Sequence, residues 1–453
     1  MTINAPSRTS TAPLPPGPGS RAPVAVQTLL FGNFRQALMP ALRRYYGDVI
    51  HLRLYPKRDV VHLANLEHIK AVFSGPATRF HAGEGNLVLK PVMGEHSVLL
   101  TDEGTHLRAR KLLMPAFNGA ALRGYRDMIT ELTRQEVRRW PSGRVFRSHD
   151  RVRALTLEII LRVVFGVSEG ARLEELRGRL GEIIDIGVLD IFGWHNEKLR
   201  RYGPWRRAAE NQRRVDDLIY AEIAERRRAG DLADRSDVLS RLLTAPAGDD
   251  PLTDAELRDQ LVTLLLAGHE TTATALAWSF HELARDQARL ATAIQAADAG
   301  DEKYLEAVAK EAMRLHPVIS EVARKLTEDV EIGGYRIPAG FVVLPSILLV
   351  HADAGHHPDP SRFRPERFLG DGPAAGTWFP FGGGARRCLG AGFSLLEATI
   401  VLREVLTRYR LSPDRPRREL TRPRNITSVP GRGAHISVTP RPAPPRKPLG
   451  SPS

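Results

Sequence analysis

The stretch Phe381–Gly390, F-G-G-G-A-R-R-C-L-G, contains the only cysteine among the 453 residues. A single thiol cannot form a disulfide within its own chain, so Cys388 is either an inert buried side chain or a thiolate with a chemical role. The three glycines permit tight turns and a close approach of the backbone to a flat ligand. Arg386 and Arg387 place positive charge beside the sulfur, which predicts a thiol pKa below its ordinary value.

The segment after Gly390, A-G-F-S-L-L-E-A-T-I-V-L-R-E-V-L, has the apolar spacing of a long helix. Cys388 therefore precedes a helix N-terminus, where the helix dipole and free N–H groups favour an anionic sulfur. A thiolate in this position suits a metal, and the lack of a second cysteine argues against zinc or an iron–sulfur cluster. Haem iron is the candidate that remains.

The spacing Phe-x-x-Gly-x-Arg-x-Cys-x-Gly resembles the cysteine-ligand loop of the cytochrome P-450 family, the haem-thiolate monooxygenases. The matching residues are Phe381, Gly384, Arg386, Cys388 and Gly390. The resemblance implies that Cys388 is the axial ligand of haem b (iron protoporphyrin IX). It also implies that Arg386 pairs with a haem propionate and that Phe381 packs beside the sulfur.

Composition predicts one large domain, because 42% hydrophobic residues can form a sizeable core and no repeat or linker divides the chain. The resemblance implies a mainly α fold with small β-sheets (α+β), a single-domain triangular fold with haem between a long distal helix and the helix after the cysteine. We predict a disordered Pro-rich leader at 1–24, a monooxygenase domain at 25–439 and a disordered basic Pro-rich tail at 440–453.

The net charge of +13 raises the question of nucleic acid. No helix-turn-helix, zinc finger or aromatic-basic strand pattern supports such a partner, so we expect none. The leader lacks the apolar core of a signal peptide, and the most apolar run, Leu261–Phe280, is interrupted by His269 and Glu270. We therefore expect a cytoplasmic monomer without a membrane anchor.

A second region, A-G-H-E-T-T at 267–272, lies in a long predicted helix that begins after Thr253, with Glu256 completing a capping box, and ends near Arg285. Taken alone, its polar residues fit a structural explanation, as a surface stripe or a paired core carboxylate, as well as a functional one. The run also resembles the oxygen-binding motif of the family. The resemblance implies roles for Ala267, Gly268, Glu270 and Thr271.

In that interpretation, Gly268 lets the helix pass close to the flat cofactor. Glu270 and Thr271 then organise a proton relay on the distal side of the haem.

Three further positions match cofactor contacts of the family. His106 and Arg110 are four residues apart on one face of a predicted helix. A solvated basic helix would explain them equally well, but the resemblance directs them at the haem propionates. It gives the same role to Arg324.

Glu311 and Arg314, at i and i+3 on a predicted helix, would ordinarily be a weak exposed pair. The sequence P-E-R-F supplies Arg367 as the third member of a Glu–Arg–Arg triad found in the family. The resemblance implies that the three residues form a structural lock under the cysteine loop.

The predicted substrate pocket is aliphatic and has no charged anchor, which favours a hydrophobic small molecule. Its predicted residues are Leu265, Val318, Ile319, Val322 and Val429. The irregular segment Asp185–Tyr202 resembles the mobile lid of the family, although an ordinary connection fits it equally well. Late strands at 425–429 and 435–439 are expected to close the far side of the pocket.

The implied reaction inserts one atom of dioxygen into a C–H bond or an alkene, by hydroxylation or epoxidation. No flavin or NAD fingerprint follows a strand, so a ferredoxin and a ferredoxin reductase are the expected electron donors. One alternative is a haem-thiolate peroxygenase or isomerase that does not use dioxygen. Another is a non-enzymatic haem sensor or a nucleic-acid binder.

Overall fold

The arrangement of the elements is known from a computed structural model. It describes residues 11–19, 22–55, 58–166, 170–183, 198, 201–244, 251–424 and 426–442. The predicted lid at 185–202 lies almost entirely outside these residues, and so do residues 1–10 of the leader and 443–453 of the tail.

Helices form most of the described chain, which confirms the predicted fold class. Their bounds are α1 Val24–Tyr46, α2 Leu66–Ser74, α3 Ala82–Gly85, α4 Lys90–Met93, α5 Glu103–Leu113, α6 Gly119–Val137, α7 Ser148–Phe165, α8 Ala171–Ile183, α9 Gly203–Arg228, α10 Val238–Thr244, α11 Asp254–Arg285, α12 Gln287–Ala299, α13 Glu302–Leu315, α14 Ile347–His351 and α15 Ala391–Leu406. Among the described helices, each is too short or too polar to cross a lipid bilayer.

The long helix α11 begins where the sequence predicts. The Thr253 side chain accepts a hydrogen bond from the N–H of Glu256 at 3.2 Å, and the Glu256 carboxylate accepts one from the N–H of Thr253 at 2.9 Å. These two bonds satisfy backbone donors that the first turn leaves free. The predicted capping box is therefore confirmed.

The strands form small sheets at the edges of the helical body. Their bounds are β1 Val49–Leu54, β2 Arg58–Leu63, β3 Phe80–His81, β4 Phe146–Arg147, β5 Arg324–Leu326, β6 Val330–Ile332, β7 Tyr335–Ile337, β8 Val342–Pro345, β9 Tyr409–Pro413, β10 Thr421–Arg424, β11 Thr427–Pro430 and β12 His435–Pro440. The largest sheet has the order β1-β2-β8-β5-β3, with β2 and β8 parallel and the other pairs antiparallel.

Two cores hold the candidate site between them. The larger core contains buried faces of α6, α7, α11, α13 and α15, and the most extensive helix contact is between α7 and α11. The smaller core lies between the largest sheet and α2 and includes Phe379. The cysteine loop follows Phe379 directly, so it joins the two cores.

Part of the predicted disordered leader is packed instead. The N–H of His51 donates to the carbonyl of Pro16 at 2.8 Å, and the N–H of Arg336 donates to the carbonyl of Pro13 at 2.9 Å. A Cβ at Gly17 would lie 1.9 Å from the His51 carbonyl oxygen, so the contact requires glycine. Sequence composition suggested disorder because such contacts with distant strands leave no local pattern.

Two other segments have their own arrangement. Residues 80–98 contain β3, α3 and α4, and the Asp102 carboxylate accepts hydrogen bonds from the N–H groups of Gly83 and Glu84 in α3 at 2.9 Å. The second late strand, β12, pairs with β9 and β4, so it does not share a sheet with β11.

Candidate active site

The cysteine loop is held by a backbone contact and by a neighbouring helix. The N–H of Cys388 donates to the carbonyl of Phe381 at 2.8 Å. Gly384 has φ +65°, and a Cβ there would lie 2.0 Å from the carbonyl oxygen of Phe73 in α2. A Cβ at Gly383 would lie 2.4 Å from the Phe73 ring. These two glycines are therefore required by the packing of Phe73, and their close approach to a flat ligand stays a prediction.

The expected low pKa of the Cys388 thiol is wrong for the protein alone. Burial raises this pKa, and the N–H of Gly390 and the charges of Arg110 and Arg387 oppose the effect only in part. The protein atoms packed around the thiol produce this shift, although the surface of Cys388 itself is exposed. A bound metal ion would supply the charge that the thiol needs to lose its proton.

Arg386 points away from the sulfur. Its guanidinium donates hydrogen bonds to the carbonyls of Thr101, at 2.5 Å, and Val98, at 3.3 Å, and forms an ion pair with Asp102. Asp102 also binds the N–H groups at the start of α3, so one carboxylate joins α3 to the cysteine loop.

His106, Arg110 and Arg324 lie within electrostatic range of Arg386. Burial lowers the pKa of His106 to about 4, with further contributions from Arg386 and Arg110, so the imidazole is neutral at pH 7. Burial also lowers the pKa of Arg324 to about 10, and Arg386 adds to this shift. Of the described carboxylates, only that of Asp102 opposes both shifts.

Arg110, Arg324 and Arg386 form a cation cluster with few neighbouring carboxylates. Among the described residues, Arg324 is buried, donates one hydrogen bond to the Ala323 carbonyl at 2.8 Å and forms no ion pair with a carboxylate. Such a group of guanidinium donors suits a ligand that carries carboxylates, and haem carries two of them as propionates. The residues present therefore fit haem.

The accessible face of α11 contains Ala267 and Thr271. Most of the helix is buried, yet Ala267 is exposed and Thr271 is partly exposed. The Thr271 hydroxyl donates to the Ala267 carbonyl at 2.8 Å. On the next residue, the Thr272 hydroxyl donates to Ser394 Oγ of α15 at 3.0 Å, which ties α11 to the helix that follows Cys388.

Gly268 lies close to a residue of α7. A Cβ at this position would lie 3.0 Å from Cδ1 and Cγ1 of Ile160 in α7. The absence of a side chain at Gly268 therefore lets α7 pack closely against α11, and the role of this glycine towards a flat cofactor stays a prediction.

Glu270 is also turned away from the accessible face. Its Oε1 accepts a hydrogen bond from Arg424 Nη1 at 3.1 Å and lies 3.5 Å from Nε2 of His149. Its Oε2 lies 3.6 Å from Nε of Arg153. Sequence reasoning missed these three partners, although the expected cost of burying a lone carboxylate signalled that partners had to exist.

The structure brings together the predicted triad of Glu311, Arg314 and Arg367. Arg314 donates two hydrogen bonds to the Glu311 carboxylate, at 2.7 and 2.9 Å, and a third to the His351 carbonyl at 2.8 Å. Arg367 Nε donates to Glu311 Oε1 at 3.2 Å. Both members of the Glu311–Arg314 pair are fully buried, so this is not a weak surface pair.

The predicted pocket residues differ in how accessible their side chains are. Ile319 and Val322 are partly buried beside the smaller core, and Val318 packs against Phe381. Val429 is buried in β11. Leu265 lies wholly inside the larger core, so the prediction that it lines the pocket is wrong.

The residue of α11 that is partly accessible at this level is Leu266. The phase of the helix could not be assigned from the sequence, because apolar residues surround this part of it.

A family comparison agrees with these features. The family model for cytochrome P-450 matches residues 15–436, so the chain belongs to the cytochrome P-450 family. It is thus a haem-binding monooxygenase, and the resemblance inferred from its cysteine loop is confirmed.

The chain is also similar to individual proteins of this family. A Mycobacterium tuberculosis protein provisionally named cytochrome P-450 135A1 is 51% identical over 96% of this chain and 97% of its own length. A Mycobacterium bovis protein provisionally named cytochrome P-450 135B1 is 42% identical over 95% of this chain and 93% of its own length. The solved structure of retinoic acid-bound cyanobacterial CYP120A1 has the same fold, with a TM-score of 0.84 at 22% identity, over 95% of this chain and all of that one.

Proposed function

We propose that this protein inserts one atom of dioxygen into a hydrophobic small molecule, using electrons from a ferredoxin and a ferredoxin reductase. The cation cluster beside Cys388 supports this proposal most, because it offers guanidinium donors to an anionic cofactor next to a suitable iron ligand. We also propose that it acts in the cytoplasm as a monomer.

Each cofactor contact is assigned to a residue in this proposal. Cys388 would bind the haem iron through its thiolate, and Arg386, Arg324 and Arg110 would hold the propionates, with neutral His106 donating an N–H. Phe381 supports the sulfur, Gly384 fixes the turn against Phe73, and a Cβ at Gly390 would meet no protein atom within 4 Å. Haem held by a thiolate would provide the site at which dioxygen is reduced and its O–O bond is cleaved.

The distal residues have separate tasks. Ala267 and Thr271 face the reacting side, where the small Ala267 leaves space and the Thr271 oxygen accepts a hydrogen bond from a proton donor. The Glu270 carboxylate takes up a proton and passes it towards that site. Because Glu270 lies on another face of α11, this relay requires a water molecule or a movement of the carboxylate.

The substrate is proposed to contact Val318, Ile319 and Val322. Val429 is 1% exposed, so, like Leu265, it is not among these contacts. Apolar side chains at these positions exclude water and bind by contact area rather than by charge. The role proposed for the triad of Glu311, Arg314 and Arg367 is to support the cysteine loop structurally, without taking part in the chemistry.

Two assays test the reaction class. Purified protein with a ferredoxin, its reductase and NADPH should convert a hydrophobic compound selected from a panel by its spectral shift. Parallel reactions should contain hydrogen peroxide instead of the electron donors. Product that depends on NADPH and dioxygen supports the proposal, and faster conversion with peroxide alone would favour a peroxygenase.

A further inference from the structure

The residues around Glu270 form a buried group of charges that spans three elements. We use the name Glu270 cluster for Glu270 in α11, His149 and Arg153 in α7, and Arg424 at the end of β10. The exposed fractions of the Glu270 and Arg424 side chains are 5% and 10%. Burial, followed by the charges of Arg424 and Arg153, lowers the pKa of His149 to about 3, so the imidazole is neutral at pH 7. The negative charge of the Glu270 carboxylate therefore faces the positive charges of Arg153 and Arg424.

Three residues of the Glu270 cluster approach the Glu270 carboxylate at different distances. Arg424 forms a hydrogen bond at 3.1 Å, whereas Arg153 remains 3.6 Å away and donates its own hydrogen bond to the Gly181 carbonyl at 2.9 Å. His149 Nε2 lies 3.2 Å from the Thr274 hydroxyl and 3.5 Å from Glu270. Of these three residues, Arg424 is thus the one that donates a hydrogen bond to the carboxylate.

Arg424 also connects Glu270 to the proposed substrate contacts. It faces Thr427 in the β10–β11 hairpin, and the Thr427 hydroxyl donates to the Arg424 carbonyl at 2.7 Å. The same hairpin is joined to the segment before β5, because the N–H of Ser428 donates to the Val318 carbonyl at 2.7 Å and Thr427 pairs with Ile319. A displacement of this hairpin would therefore reach Arg424.

We propose that Arg424 is a positioning residue for proton delivery, which holds the Glu270 carboxylate in one direction and links that direction to the β10–β11 hairpin. This inference rests on the proposed function and assigns a partner to its proton donor. Consecutive helical residues are about 100° apart, so Glu270 in its Arg424-bound position reaches the Thr271 side only through a bridging water molecule. Loss of Arg424 removes a bond that holds the carboxylate at the start of this path.

The test uses the full-length, haem-loaded protein with a surrogate ferredoxin, its reductase and NADPH, without added substrate. Under these conditions NADPH and protons reduce dioxygen to hydrogen peroxide or water. The rate of NADPH oxidation is measured in H₂O and in D₂O, and haem content and thermal unfolding are recorded for every variant. The variants are Arg424→Gln, Arg424→Lys, Glu270→Gln and the double variant Arg424→Gln/Glu270→Gln. Arg422→Gln is the matched control, because Arg422 is an exposed arginine on the same strand.

We expect Arg424→Gln to lower the rate about fivefold and to raise the solvent isotope effect about twofold, because proton transfer becomes slower. Arg424→Lys keeps the charge and should recover at least about half of the wild-type rate, and Arg422→Gln should match the wild type. A purely structural role would change the unfolding temperature and leave the isotope effect unaltered. Equal isotope effects in Arg424→Gln and Arg422→Gln would overturn the inference.

The double variant contains no unbalanced buried carboxylate, so it remains informative if Arg424→Gln loses haem. Its rate should equal that of Glu270→Gln within about twofold, because Arg424 acts only through Glu270. A further fall of more than about threefold would show an independent role and overturn the inference. If the wild-type protein did not oxidise NADPH with the ferredoxin, the proposed function would fail, and the inference with it.

Discussion

Two buried carboxylates, Glu311 and Glu270, each face two arginines, and the arginines hold them very differently. Arg314 binds both oxygens of Glu311 at 2.7 and 2.9 Å, and Arg367 adds a bond at 3.2 Å. Glu270 accepts a bond from Arg424 at 3.1 Å and lies 3.6 Å from Nε of Arg153. The bidentate pair of Glu311 and Arg314 suits a fixed support, whereas the longer separations between Glu270 and these arginines suit a carboxylate that moves a proton.

The largest effect on stability is expected at Glu311. Glu311→Ala leaves the fully buried Arg314 without its partner, which should cost roughly 3–5 kcal/mol of unfolding free energy and much of the bound haem. Thermal unfolding and haem content measure this loss. The control is Glu306→Ala on the same helix, where an exposed pair with Lys310 should contribute less than about 1 kcal/mol. Similar values for the two variants would remove the distinction between the triad and a surface pair.

Glu270→Gln should show the opposite balance. The amide keeps the size of the side chain and can still accept a bond from Arg424, so the stability cost should be only about 1 kcal/mol. Turnover should fall about a hundredfold, because an amide cannot take up and release the proton. Turnover and thermal unfolding are compared in one preparation, and a destabilised variant with wild-type turnover would reverse the assignment of the two carboxylates.

A smaller effect tests the position of α11 itself. Gly268→Ala places a methyl group 3.0 Å from Ile160, which should cost about 1–3 kcal/mol while the haem absorption spectrum stays unchanged. Ile160→Val in the same chain should restore part of the stability. The control Gly124→Ala, at a helical position with no neighbour within 4 Å of its Cβ, should stabilise by about 0.5–1 kcal/mol. A shifted haem spectrum in Gly268→Ala would show that this glycine faces the cofactor.

The features of the site that could be predicted from sequence are those whose residues lie close together along the chain. The ten residues around Cys388 identified the family, and the capping box at Thr253 and Glu256 gave the start of α11. The charged partners could not be found in this way. Arg424 lies 154 residues from Glu270, so nothing in the local pattern connects them.

The roles of the glycines show the same limit. The sequence indicated that Gly268 and Gly384 permit a close approach, and the protein groups that approach them are Ile160 and Phe73 from distant helices. The prediction of a low Cys388 pKa failed for a related reason, because Arg386 pairs with Asp102 and burial outweighs the lowering by Arg110 and Arg387.

The central claim is that Cys388 is the thiolate ligand of haem iron, and the absorption spectrum of the reduced carbon monoxide complex tests it most directly. The wild-type protein should show the red-shifted Soret band that a thiolate gives when it lies opposite carbon monoxide. Cys388→Ser should lose that band together with most of the bound haem, because a hydroxyl is a poor iron ligand at neutral pH. A Cys388→Ser protein with the unchanged band would contradict the claim.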